Sequence, residues 1–175
     1  MTLRVVLAVV LAAALCTAAV PAVHDARRAN AETAGSTAAD SVRDAVRALT
    51  SSTPAPVGAP AATRVVRLAL PRRGTATAGA ALFVGTAPGP PGASDTQTTD
   101  LLAVRVAGRI RVVRLPVDLR VQTNGTVEPD GTGIRVTHRA ALRLRYVRYR
   151  GRPTVVATAG DGADLYTRGR DHRGT

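Results

Sequence analysis

From Val5 to Val23 the chain reads VVLAVVLAAALCTAAVPAV, an apolar run without a single charge. Wound as a helix it would be roughly 28 Å long, about one hydrocarbon thickness. Arg4 precedes it, and the charges that follow it as far as Arg47 are balanced, so the positive-inside bias predicts the amino terminus inside and the rest outside. Residues 1–23 are therefore expected to be a membrane anchor or a signal peptide. From 24 to 50 the pattern changes to Ala mixed with Arg, Asp and Glu, with Val42, Val46 and Leu49 at helical spacing. This predicts a helical stalk, with Ser41 as a cap for its last part. Gly35-Ser36 is expected to weaken one continuous helix by about 1 kcal/mol.

Pro54, Pro56 and Pro60 then mark 51–62 as a linker that cannot continue a helix. Beyond it the apolar positions shift to strand spacing. Short β-branched or Leu-rich runs at 63–70, 80–85, 101–106, 109–115, 117–121, 133–138, 141–150 and 153–158 are separated by turn residues. Ala107-Gly108 and the Arg150–Arg152 corner are compact enough for hairpins. Residues 86–99 read as a flexible loop and 159–175 as a disordered tail. The expected fold class is α+β: a transmembrane or stalk helix followed by a small antiparallel β head over 63–158, with one face apolar and the other wet.

The strand LRLRYVRYR, 142–150, interleaves four arginines with apolar residues. RVVRL at 64–68 and 111–115 echoes RYVRY at 145–149, and in each two adjacent apolar residues interrupt the alternation. One-residue bulges at 112–113 and 146–147 would restore a continuous apolar face and put the arginines on the other. Arg109, Arg111, Arg114, Arg143, Arg145, Arg148 and Arg150 are thus candidate contacts for a polyanion.

Composition sharpens this reading. The net charge is +12, and all 24 basic residues are Arg. Such a charge attracts anionic polymers without selecting a sequence. Phe83, Tyr146, Tyr149 and Tyr166 are the only aromatics, and the tyrosines of 142–150 fall on the apolar side, which counts against a base-stacking surface. Specific nucleic-acid binding is not expected. The single cysteine, Cys16, rules out an intramolecular disulfide and a Cys-based metal site. Leu15 before it disagrees with lipoprotein processing, whereas Val20-Pro21-Ala22 suits cleavage after Ala22. Cleavage would leave a secreted protein; an uncleaved run would leave a single-pass membrane protein held by lipid contacts of residues 5–23.

The run AAVPAVHDARRANAE, 18–32, resembles the first helix of type IV pilins and pseudopilins, where an apolar half passes through a Pro-Ala step into a polar half with Asp and Arg. The resemblance implies a small antiparallel sheet set against the helix, and pilin-like or secretion-system subunits as partners. The whole chain also resembles a group of short, uncharacterised membrane-anchored proteins of halophilic archaea.

No catalytic constellation emerges. His24, His138 and His172 lie in no flanking motif, Asp161 to Asp164 lacks the further acids of a calcium loop, and no glycine-rich phosphate loop occurs. No metal or cofactor is expected, and the protein is read as non-enzymatic. Asn124-Gly125-Thr126 is both a turn signal and a glycosylation sequon for an exported chain. Two readings of function remain. One is an extracytoplasmic, membrane-anchored minor subunit of a pilin-like or secretion assembly. The other is a polyanion-binding module at the cell surface or, without export, on nucleic acid.

Overall fold

The computed structural model describes residues 2–72, 74, 78–86, 88 and 100–167; the side chains of 2–4, 9, 12–16, 18 and 19 fall outside that description. Cys16, His172, most of the loop 86–99 and the last eight residues of the tail thus lie outside it, so expectations about them are not addressed.

A single helix, α1 (Thr2–Thr50), passes straight through Pro21 and through Gly35-Ser36. Its second half closes one end of the core. Ala31, Ala38, Ala39, Val42, Ala45, Val46 and Leu49 are buried at three- and four-residue spacing, one stripe of a 3.6-residue helix. Gly35 lies on the same stripe. A Cβ there would sit 2.5 Å from Val104 Cγ1, so the helix backbone rests directly on a strand. The glycine weakens the isolated helix but permits this approach, and packing offsets the lost propensity.

Eleven strands among the described residues form two sheets. The first contains β1 (Ala55–Pro56), β2 (Thr63–Leu68), β6 (Asp118–Thr123), β7 (Thr126–Val127), β9 (Ala140–Tyr149) and β10 (Arg152–Ala159), in the order β1-β9-β10-β6-β7. β2 lies beside β1 along the same edge of β9. The second contains β3 (Ala80–Val84), β4 (Leu101–Val106), β5 (Arg109–Arg114), β8 (Thr132–Val136) and β11 (Ala163–Thr167), in the order β11-β8-β3-β4-β5. Pairing is antiparallel except for β1 with β9 and β10 with β6. Leu82, Val84, Leu102, Leu119, Ile134, Leu142, Leu144 and Val155 line the two inner faces and share one core with the buried half of α1. The helix touches β3 and β4 in one sheet and β2 and β9 in the other, so it bridges both. Three two-residue hairpins have positive φ at both positions, as a type I′ turn requires: Ala107-Gly108, Asn124-Gly125 and Arg150-Gly151.

Several expectations need correction. The fold is a β-rich, two-sheet body, not a transmembrane or stalk helix with a small head. The expectation treated 24–50 as a helical stalk, whereas Ala31, Ala38, Ala39, Val42, Ala45, Val46 and Leu49 in it are core residues. Among the described residues no helix is long and apolar enough to cross a membrane. The sheet pairing is largely antiparallel, as the alternation indicated.

The bulges are absent too. β9 pairs with β10 in unbroken register from Leu142–Ala159 to Tyr149–Arg152, and β5 pairs with β4 in unbroken register throughout. In β9 the doublet is absorbed by burial on both faces: Tyr146 points to the core, while Val147 is buried on the other side with its neighbours Thr154 and Val156. In β5 it is absorbed by exposure: Val113 turns toward the core, while Ile110 and Val112 face outward, 45% and 49% exposed.

Candidate functional site

One concavity lies where α1 passes the β4–β5 hairpin. On the helix, Glu32, Ser36, Ala39, Asp40 and Arg43 recur at three- and four-residue spacing, one step around from the buried stripe. On the hairpin, Val104 and Val106 of β4 and Arg109, Ile110, Arg111 and Val113 of β5 complete the wall. Together they enclose about 330 Å³. Arg109, Arg111 and Val113 share one face of β5 by strand alternation, which is how an arginine row comes to look into a groove behind an edge strand.

Charge in this groove is poorly compensated. Glu32 is held by Arg28 one helical turn earlier, Nε to Oε1 3.1 Å. Asp40, Arg43, Arg109 and Arg111 form no ion pair among the described residues. The Nε of Arg43 is buried without a hydrogen-bond partner. A buried guanidinium N–H without an acceptor loses hydration, so an acceptor reaching it would gain a charge-assisted hydrogen bond.

The seven arginines read from the sequence are not one row. Arg109, Arg111 and Arg114 belong to β5 in the second sheet, with Arg114 facing away from the groove. Arg143 and Arg145 share the outer face of β9 in the first sheet, with Arg143 exposed. Arg145 is half-buried and donates from Nη2 to the carbonyl of Ala59 at 2.7 Å, pinning the segment before β2. Without a bulge, Arg148 falls on the opposite face of β9 from Arg143. Arg150 occupies the hairpin corner, its guanidinium 5.3 Å from the Tyr149 ring centre. Arg120 stacks on the same ring at 5.3 Å and pairs with Asp130. Only Arg109 and Arg111 are brought together in a cavity.

Sequence reasoning missed Arg43, Asp40 and Glu32. Their spacing of eight and three residues was legible, but which face of α1 met the sheet was not. It missed as well the cluster on the outside of the second sheet, where Phe83 is buried beneath an edge-on Tyr166 ring, 5.2 Å between centres, with Arg105 at 5.3 Å. Asn124 is exposed at its hairpin tip, where Gln122 Nε2 donates to the Gly125 carbonyl at 2.7 Å. Its amide is therefore sterically accessible to a modifying enzyme. Among the described residues no group of three or more His, Cys, Asp or Glu could hold a metal ion.

Fold and groove together define a two-sheet β protein that is completed by one long helix. The chain belongs to the family described as domain of unknown function DUF7311, whose model matches residues 2–160, from the start of α1 to the end of β10. No curated protein and no solved structure matches it.

Proposed function

We propose that the protein is a non-enzymatic, extracytoplasmic subunit of a pilin-like or secretion assembly, joined to neighbouring copies through the first half of α1. One observation carries this. Val5, Val6, Leu7, Val10, Leu11, Val20 and Val23 are 44% to 70% exposed on a helix whose other half is sealed in the core. At 100° per residue these positions span about 240° of the circumference, the exposed Ala8 and Ala22 fall in the remaining arc, and a helix that is apolar all round belongs in a buried setting. Equivalent helices of other copies, with small Ala side chains allowing close approach, supply such a setting. The likeness of 18–32 to pilin first helices supports the same reading.

Sedimentation of the full chain tests it. Wild type is expected to assemble, and Leu11→Asp, which places a charge in the helix contact, is expected to sediment as a monomer with unchanged circular dichroism. A wild-type chain that floats with lipid vesicles as a monomer would contradict the proposal.

A second reading, weak attraction of anionic polymers, is favoured by the charge of the body. Beyond Leu49 there are 19 Arg against 8 acids. Arg120 pairs with Asp130 in that part, and Arg72 and Asp118 also have partners. Heparin should then bind weakly, and the binding should disappear steeply with salt. Salt-resistant preference for one oligonucleotide would overturn this reading.

A further inference from the structure

β5 is an edge strand. Among the described residues it pairs with β4 alone, carries no proline or bulge from Arg109 to Arg114, and is exposed along nearly its whole length. The two-residue turn at Ala107-Gly108 makes Val106–Arg109 the closing hydrogen-bonded pair. Alternation along an antiparallel ladder then turns the N–H and C=O groups of Arg109, Arg111 and Val113 toward β4. Those of Ile110, Val112 and Arg114 point outward. This free rim is a template for a further strand unless charge or shape forbids it.

The side chains decide which strand could use it. One face of β5 offers Ile110 and Val112; the other offers Arg109 and Arg111 above the groove that holds Asp40 and the unpartnered Arg43 Nε. A second copy of β5 is the wrong partner. Its segment 109–114 brings three more arginines and no carboxylate that could meet Arg109, Arg111 or Arg43. We propose that β5 and the groove behind it are a docking site for an extended segment of a partner protein that alternates acidic and apolar residues and adds to the second sheet as a sixth strand. Its carboxylates meet Arg109 and Arg111, one reaches the Arg43 Nε, and its apolar residues cover Ile110 and Val112. The main-chain ladder supplies affinity and the alternating pattern supplies selectivity. This site is separate from the helix contact of the proposed assembly, and the Leu11→Asp chain serves to test it without self-association.

The test uses that full-length chain with four probes: a short peptide alternating Glu and Val, the same residues arranged in two blocks, an alternating Lys–Val peptide, and polyglutamate. The alternating Glu–Val peptide is expected to bind best and to slow amide hydrogen exchange at Ile110 and Val112. Val112→Pro, tolerable on an edge but lacking the outward N–H, should weaken binding by about tenfold or more, while Val112→Ala has a smaller effect. The double variant Arg109→Glu/Arg111→Glu should reverse the preference toward the Lys–Val peptide, and it decides the matter if the proline variant does not fold. Equal binding of the block peptide or polyglutamate, no gain in protection at Ile110 and Val112, or no binding of the alternating peptide would each overturn the proposal.

Discussion

The two halves of α1 are parts of one continuous helix, yet they obey different physics. From Ala31 to Leu49 the apolar residues form a single stripe, the rest of the surface is polar, and the stripe is buried to below a tenth of its full exposure. From Val5 to Val23 the described apolar side chains lie on every side of the axis and stay open. The second half is finished by its own chain and the first is not. Hydrophobicity alone would assign the greater structural role to the first half, since it is the more apolar. Arrangement decides instead: a stripe finds its partner within the molecule, and a full cylinder needs partners from several directions. Residue size reinforces the division. Ala31, Gly35, Ala38, Ala39 and Ala45 let the helix approach the sheet at backbone distance, so a weakly hydrophobic segment becomes a tightly packed one.

The largest effect should come from charging the buried stripe. Val46→Asp places an unpaired carboxylate at a fully buried site, at a cost of several kcal/mol, comparable with the about 5–15 kcal/mol stability of a small domain. It should unfold the β body as thoroughly as Leu119→Asp or Leu144→Asp in the facing sheet. A thermal melt in which Val46→Asp loses helix but leaves the sheets intact would separate the helix from the core and break the comparison.

Next is Gly35→Ala. Alanine improves helix propensity by about 1 kcal/mol, but its Cβ would meet Val104, and forced overpacking costs about 1–3 kcal/mol. A net loss of about 1 kcal/mol is expected in denaturant melts, largely recovered in the double variant with Val104→Ala. A stabilised single variant would show that the helix does not bear on β4.

A smaller response is expected from the first half. Val10→Asp, at an exposed position, should change the stability of the body by no more than about 0.5 kcal/mol in chemical denaturation, while impairing self-association. At the junction, Arg28→Ala removes an exposed helical ion pair and should cost about 0.3–0.5 kcal/mol. A loss several times larger would place Arg28 in the core contact.

Much of the strand layout was readable from local signals. Alternation and turn residues located β2, β3, β4, β5, β6, β8, β9 and β10 to within a few residues, and the Ala-Gly, Asn-Gly and Arg-Gly corners carried their own turn chemistry. The short β1 and β7 have too few residues for any pattern, and β11 follows Gly160 and Gly162 in a stretch that reads as loop. What the sequence could not show was which surfaces would be covered. The apolar doublets Val112-Val113 of β5 and Tyr146-Val147 of β9 are locally alike. One lies on an edge and the other in the middle of a sheet, so Val112 is wet and Val147 is dry, a difference set by neighbours distant in the chain. The same limit hid the groove. Its arginines were visible, but the helix face carrying Asp40 and Arg43 is defined only once Gly35 is seated on Val104.

Residue-resolved hydrogen exchange along α1 tests the division of the helix most directly. Amides from Ala38 to Leu49 should exchange only through global unfolding, with the same protection as Leu142 and Leu144 in β9, at every protein concentration. Amides from Val5 to Val23 should exchange faster, and their protection should rise with concentration as copies associate. Equal, concentration-independent protection in both halves, or faster exchange at Val42 and Val46 than in β9, would contradict the account.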